Sequence, residues 1–365
     1  MKKIGIATIL ALDNFGALLQ AYALQRKLTL MGYDAELIDF REKNQSDCSM
    51  FVKIKSIKDI LRNVRKLLRY SDYKERMTLF SNFVEKNIKL SSNYPNENEL
   101  GSVRWDYDVL CTGSDQTFNL KLPVFKKAYY LNFTDDIPKI SYAPSFGEQS
   151  SQFSEEQRKW IKEQLLKYKS LSVREKQGVE LAESITGRND VFQALDPTLL
   201  LTEENWTSVV GENKENSEDY ILFYSVLSDQ WVVDEVKRIS EKTGMRVIAV
   251  HLQNQFELGV NFARYLKTGP AEFLSLIKNA KLVLTTSFHA TVFSVVFKKP
   301  FYSFLLGEGN RIGSLLELLH LKEREIIKDK KIEINYDVDY KKANEVLETE
   351  RRKCEEYLKK AIEDM

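Results

Sequence analysis

The chain has 365 residues, 43% of them hydrophobic, which is enough for two α/β domains with separate cores. Its 54 Lys and Arg nearly balance 53 Asp and Glu, so the global charge argues against a nucleic-acid binder or a general polyanion binder. Cys48, Cys111 and Cys354 are too few and too scattered for a disulfide framework, and no CxxC or Cys/His cluster offers a metal site. The expectation is a reducing, cytoplasmic setting and no metal.

Reading from the start, MKKIGIATILAL resembles a leader only superficially: the apolar run is cut by Asp13 and Asn14, and no small-residue cleavage site follows. It reads as a buried first strand over 4–10. A turn at Asp13-Asn14-Phe15-Gly16, a helix ending at Gly32 and the strand AELIDF complete a βαβ unit. Residues 51–69 form an amphipathic pattern with Ile54, Ile57, Leu61, Val64 and Leu68 on one stripe. Seven basic residues between 53 and 69, against Asp59 alone, make this the most basic stretch of the chain. It fits either a solvated helix covering its own domain or peripheral docking on an anionic membrane face. A second helical pattern runs through Phe80, Phe83 and Val84, and YPNENELGS marks a loop.

The α/β pattern resumes with the strand DVLCTG (108–113), the turn GSDQTFN and the strand KISYAPSFG (139–147). A helix over 154–169 opens on Ser154, with Glu155 and Glu156 in its first turn. A short strand LSV, another helix and DPTLLLTEENW close this half, and the polar stretch GENKENSED (211–219) reads as a linker. The domains are therefore expected at 1–210, with a basic helical segment at 51–90, and at 218–325. The second run comprises YILFYSV, a helix from Gln230 to Gly244, RVIAVHL, a helix at 271–280, KLVLTTS, an apolar helix from His289 or Ala290, and FYSFLLG. A charged helix at 339–363 is expected to return to the first domain.

Three strand ends carry chemistry. KLVLTT runs through Ser287, Phe288 and His289 directly into an apolar helix, which places backbone N–H groups and the positive helix end at the edge of a parallel sheet. An anion suits that place; Thr286 or Ser287 can cap the helix, and His289 can bind an anion or move a proton. The same letters fit a plain cap and a packed core histidine. Ser114 and Asp115 follow the strand DVLCT on a tight turn, where Asp115 can act as a base toward a sugar hydroxyl or serve only as a turn former. Arg174 ends the strand LSV and suits a carboxylate or phosphate, or an ion pair with Glu175 or Glu180. Asn14, Gly16 and Gln20 in the first loop and helix can line an interdomain cleft or simply form a turn and a solvated helix face, and GxGxxG and the P-loop pattern are both missing.

Taken in order, NFGALLQAYAL, DVLCTGSDQTFN, ISYAPSFG, LSVRE, LDPTLLL, LTTSFHATVFSVVFKKPF and NRIGSLLELLHL resemble the polysaccharide pyruvyl transferase family from about residue 4 to about residue 322. The resemblance implies a GT-B-like fold: two Rossmann-like domains facing across a cleft, with a C-terminal helix packing back on the first. It implies transfer of the enolpyruvyl carbons of phosphoenolpyruvate, a co-substrate and not a cofactor, to two hydroxyls of a sugar of a cell-surface polysaccharide or its lipid-linked precursor, making a pyruvate ketal; peripheral placement at the inner face of the plasma membrane would come only from the basic stretch 51–69. It matches Arg174 and His289 to the donor pocket and Asp115 to an acidic residue after the central strand. Where some members carry arginine two positions before the histidine, this chain has Ser287, so Lys298, Arg311 or another basic group takes its place or the donor differs. A nucleotide-sugar glycosyltransferase and a non-catalytic protein of the same fold are the competing readings.

Overall fold

The computed structural model describes residues 1–41, 70–147, 153–212, 219–226, 229–250, 262–306, 311–330 and 333–364. The basic segment 51–69 lies outside the described residues. The chain divides into two compact units: Met1–Tyr70 with Ser81–Leu201 and Glu350–Met365, and Ser71–Phe80 with Thr202–Thr349.

In the first unit six strands lie side by side: β1 (Lys3–Ala7), β2 (Asp34–Asp39), β3 (Leu90–Asn93), β4 (Val109–Thr112), β5 (Lys139–Ser141) and β6 (Tyr168–Ser170). All pairs are parallel and the order is β3-β2-β1-β4-β5-β6. That order reverses between β1 and β4, the switch point outside which open α/β sheets form their ligand crevice. Helix α1 (Phe15–Leu30) starts where Asn14 leaves the extended region and its side chain accepts from Ala17 N. It is buried over most of its circumference, since it covers a sheet face whose central strand β4 is wholly buried. Helix α2 (Tyr70–Asn87) leads into β3, and α3 (Glu155–Leu165) opens on a complete capping box between Ser154 and Gln157. A short parallel pair, β7 (Ser172–Val173) and β8 (Phe192–Gln193), flanks α4 (Lys176–Thr186).

The second unit repeats the design with β9 (Tyr220–Tyr224), β10 (Arg246–Val250), β11 (Phe262–Tyr265), β12 (Leu282–Thr285), β13 (Phe301–Phe304) and β14 (Glu325–Ile326). The order β11-β10-β9-β12-β13-β14, again parallel, puts its switch point between β9 and β12. Its helices are α5 (Glu203–Thr207), α6 (Gln230–Thr243), α7 (Pro270–Asn279), α8 (Phe288–Val296) and α9 (Arg311–Leu318).

Helix α10 (Tyr340–Glu363) joins the first unit from Glu350 onward. There Arg351 donates to Leu199 O at 2.6 Å and Leu201 O at 3.0 Å, and Tyr357 donates to Ser141 O at 3.0 Å and stacks on Phe192. The C-terminal part of α10 thus packs against the first unit.

Three local expectations change. The strand 139–147 stops at Ser141, because Ala143 takes a left-handed φ of 54° and Pro144 has no N–H for a ladder; one isolated bridge, Asp115 to Pro144, continues the pairing. The loop 94–102 contains a 3-10 turn, Glu97–Ser102, and follows β3, whose sequence LSSN carries no apolar alternation. The units part between Leu201 and Thr202, ahead of the polar stretch 211–219. The cause is Trp206, which is fully buried and sets its ring edge-on to Phe293 at 4.8 Å, drawing α5 into the second core. Ser71–Phe80 also belong to that core, through Leu79 against Gly269 and Lys267 paired with Glu75 at 2.8 Å.

Candidate functional site

Each unit builds its own site at its switch point. In the second unit, β9 ends on Tyr224, followed by Ser225, and β12 ends beside it on Thr285, followed by Thr286. Thr285 Oγ1 donates to Tyr224 O at 2.6 Å. Thr286 Oγ1 accepts from Val226 N at 3.1 Å and meets Ser225 Oγ at 3.1 Å. Both threonines therefore stitch the two strand ends together. Ser287 follows as the N-cap of α8; its Oγ accepts from Ala290 N at 3.4 Å, and its own N–H donates to Thr285 Oγ1 at 2.9 Å.

Phe288 and His289 occupy the first two positions of α8, whose N–H groups have no intrahelical acceptor. The first turn holds no acidic residue. His289 is half-buried with its ring edge-on to Phe288 at 5.3 Å, and the Arg311 guanidinium lies 5.8 Å from the Phe288 ring centre. Lys298 is at the other end of the helix, about 15 Å away at about 1.5 Å per residue, facing Glu203 at 3.5 Å. Of the two basic residues named as replacements for a missing arginine, Arg311 stands beside this helix start and Lys298 does not. The helix itself is fixed from behind by Thr291 Oγ1 meeting Ser303 Oγ at 2.7 Å and by the Trp206 contact.

In the first unit β1 and β4 run out side by side into Thr8 and Gly113, with Gly113 N donating to Ala7 O at 2.9 Å. A side chain at Gly113 would come within 2.7 Å of Thr8 Cβ, so the close approach of the two strand ends requires glycine. Ser114 is fully buried and donates to Ala143 O at 2.8 Å. Asp115 is half-buried at a left-handed φ of 68°, and its carbonyl accepts from Ser145 N at 2.8 Å. Asp115 and Ala143, two left-handed residues other than glycine, lie on adjoining strand ends; such strain, about 1–3 kcal/mol each, collects at functional sites.

Arg174 is held beside them by its own N–H to Pro144 O at 3.1 Å. Its guanidinium donates to Glu175 at 2.8 Å and to Asp196 at 2.8 Å, with only 4% of the side chain exposed. Burial works against the charge, but Glu175, Asp196 and Asp115 outweigh it and hold the arginine more firmly protonated than usual. Asp196 also accepts from Thr198 N at 3.0 Å and Thr198 Oγ1 at 2.6 Å. Neither Asp196 nor Thr8 was singled out from sequence. Asp196 carried a signal, the Asp-Pro-Thr cap pattern; Thr8 carried none.

The first-helix residues fall into distinct places. Asn14 is exposed at the N-cap and Gly16 is buried in the first turn. Gln20 is fully buried and touches no solvent. Its Nε2 donates to Ala17 O at 2.9 Å and Thr8 Oγ1 at 3.0 Å, while its Oε1 has no hydrogen-bond partner among the described residues. An unmet buried acceptor costs about 1–3 kcal/mol. The structure thus gathers Gln20, Ser114, Asp115 and Arg174 in the first unit, and Thr286, Ser287, His289 and Arg311 in the second. Among the described residues no group of three or more His, Cys, Asp or Glu is placed to hold a metal ion, and no helix is long and apolar enough to cross a membrane.

Two parallel six-stranded sheets of the same order, each with polar groups at its switch point, define the GT-B-like class. Solved structures agree on the fold. The S. aureus MnaA–UDP co-structure is 14% identical, with 96% of this chain and 89% of that chain covered at a TM-score of 0.54. A putative UDP-N-acetylglucosamine 2-epimerase from Listeria monocytogenes is 12% identical, with coverage of 99% and 90% and a TM-score of 0.52. An alpha-glucosyltransferase in complex with UDP and a 13-mer DNA is 10% identical, with coverage of 98% and 95% and a TM-score of 0.50. No curated protein matches the sequence. The family description does: polysaccharide pyruvyl transferase, matching residues 14–306. The chain belongs to the polysaccharide pyruvyl transferase family.

Proposed function

We propose that this protein transfers the enolpyruvyl carbons of phosphoenolpyruvate to two hydroxyls of a polysaccharide sugar or its lipid-linked precursor, leaving a pyruvate ketal and inorganic phosphate. The observation that carries this is the start of α8 at the β9/β12 switch point: the positive end of the helix dipole, a serine cap, no acidic residue in the first turn, and Arg311 alongside. That setting favours a compact polyanion. The first-unit cluster has the opposite character, with Asp115, Glu175 and Asp196 around the single charge of Arg174. A net negative cluster suits a neutral polyol and a base, so we assign the donor anion to the second unit and the acceptor to the first. Arg174 then orients carboxylates and does not grip the donor.

The chemistry balances on these groups. The methylene carbon of the donor takes a proton, for which His289 is the donor, and C2 becomes oxocarbenium-like. One sugar oxygen bonds to C2 and gives up its proton to Asp115; phosphate then leaves C2 with its bridging oxygen, and a second sugar oxygen closes the ketal as its proton passes to the departing phosphate. No cofactor enters this scheme. Peripheral docking through 51–69 would bring a lipid-linked acceptor within reach, and sedimentation with anionic vesicles, compared with Lys/Arg→Gln variants of that stretch, reads it.

The test is titration by calorimetry and thermal shift. Phosphoenolpyruvate should stabilise the protein, less so in Arg311→Ala, and phosphate release with acceptor should vanish in His289→Ala. A helix start at a switch point also suits a diphosphate, and two of the solved neighbours named above were solved with UDP. Stabilisation by a uridine diphosphate sugar and none by phosphoenolpyruvate would replace our reading with a glycosyltransferase. Phosphate release equal in wild type and His289→Ala would remove the proposed catalytic role.

A further inference from the structure

Gln20 sits where an apolar residue would pack without leaving a polar atom unmet. It is fully buried on α1, and among the described residues only its amide nitrogen is partnered, through Ala17 O, Thr8 Oγ1 and a longer contact of 3.4 Å to Ile9 O. The nitrogen faces two carbonyls, which fixes the amide orientation. Its bond to Thr8 fills a lone pair of the threonine oxygen, so the single hydroxyl proton of Thr8 is directed to Ser114 O, 2.9 Å away. Ser114 immediately precedes Asp115. The turn is pinned again by Thr117 Oγ1 to Gly113 O at 3.0 Å and Ser145 N to Asp115 O at 2.8 Å, but among these contacts only the Gln20–Thr8 pair reaches it from α1.

We infer that Gln20 is a positioning residue: through Thr8 it fixes the Ser114 carbonyl, and with it the left-handed backbone that presents the Asp115 carboxylate at the sheet edge. This rests on the proposed role of Asp115 as the acceptor base. Gln20 touches no substrate. A glutamine kept only for folding would lower stability when replaced; one that positions a base would lower turnover and leave stability alone, because the amide leaves its own oxygen unpaired.

The experiment compares Gln20→Met, Thr8→Val and Thr8→Ser in the full chain. Expected are an unchanged or raised Tm for Gln20→Met, a kcat at least tenfold down in Gln20→Met and Thr8→Val with donor KM within twofold, and near wild-type kcat in Thr8→Ser, which keeps the hydroxyl. Amide hydrogen exchange should show faster opening at 113–117 in the first two variants at unchanged global stability. A lowered Tm with wild-type kcat and unchanged exchange at 113–117 would overturn the inference. The exchange arm needs no substrate. If wild type itself fails to respond to phosphoenolpyruvate, the transfer reading falls, and the positioning of the turn is still decided by exchange.

Discussion

Position 287 separates the stability of α8 from its affinity for anions. Ser287→Asp replaces one good N-cap by another, and adds a negative charge where the helix dipole favours it by about 0.3–1 kcal/mol, so folding stability should hold or rise. The same carboxylate would stand about 5 Å from an anion on the Phe288 and His289 N–H groups. At an effective dielectric of about 20, two like charges at that distance repel by about 3 kcal/mol, which is roughly a hundredfold in affinity. Ser287 is only 6% exposed, so salt should screen this weakly. Ser287→Arg reverses both signs: the cap is lost at about 1 kcal/mol, and anion affinity rises. Calorimetric titration of both variants with phosphoenolpyruvate and inorganic phosphate, beside urea denaturation, reads the two effects separately. Equal anion affinity in wild type, Ser287→Asp and Ser287→Arg would refute the placement of the anion at this helix start.

Trp206→Ala empties a fully buried site behind α8 and should cost about 3–5 kcal/mol by urea denaturation, with loosened packing at Phe293. Arg174→Met strands the carboxylate of Asp196 and should cost about 3–5 kcal/mol, whereas the double variant with Asp196→Asn should cost less than the sum, as a double-mutant cycle measures. Asp39 is partly desolvated, which raises its pKa, but the Arg41 guanidinium at 2.7 Å more than offsets this and holds it below the usual carboxylate range. Its contribution is therefore present above about pH 4 and lost as pH falls through the depressed value. Arg41→Met should flatten that acid limb in denaturation curves taken between about pH 5 and 2, and an unchanged limb would exclude the pair as its source.

Much of the fold was legible because buried parallel strands are nearly pure apolar runs: VLCT, YILFY and LVLT have no exposed residue and no competing pattern. Helix starts were legible where a side chain makes the cap, as at Ser154 and Ser287, whereas the Asn14 cap read only as part of a turn. The strand LSSN was not, because an edge strand of polar residues has no alternation to detect. Nor was the end of β5, where Ala143 turns left-handed through contacts with Ser172 and Ser114 that are remote in sequence.

The site divides the same way. Residue types and strand-end positions of Asp115, Arg174, Ser287 and His289 could be read along the chain, because a strand followed by a turn or helix must deliver its next residue to the sheet edge. Sequence by itself therefore determined the α/β class, the repeated strand-helix grammar and the family. Only the tertiary structure decided which strand ends are neighbours, that Arg174 is balanced by Asp196 twenty-two positions on, that Arg311 and not Lys298 stands at the start of α8, and that Gln20 faces Thr8 instead of solvent. Those are through-space pairings, fixed by strand order and side-chain burial, and strand order is set by the whole sheet at once and not by any local run of residues.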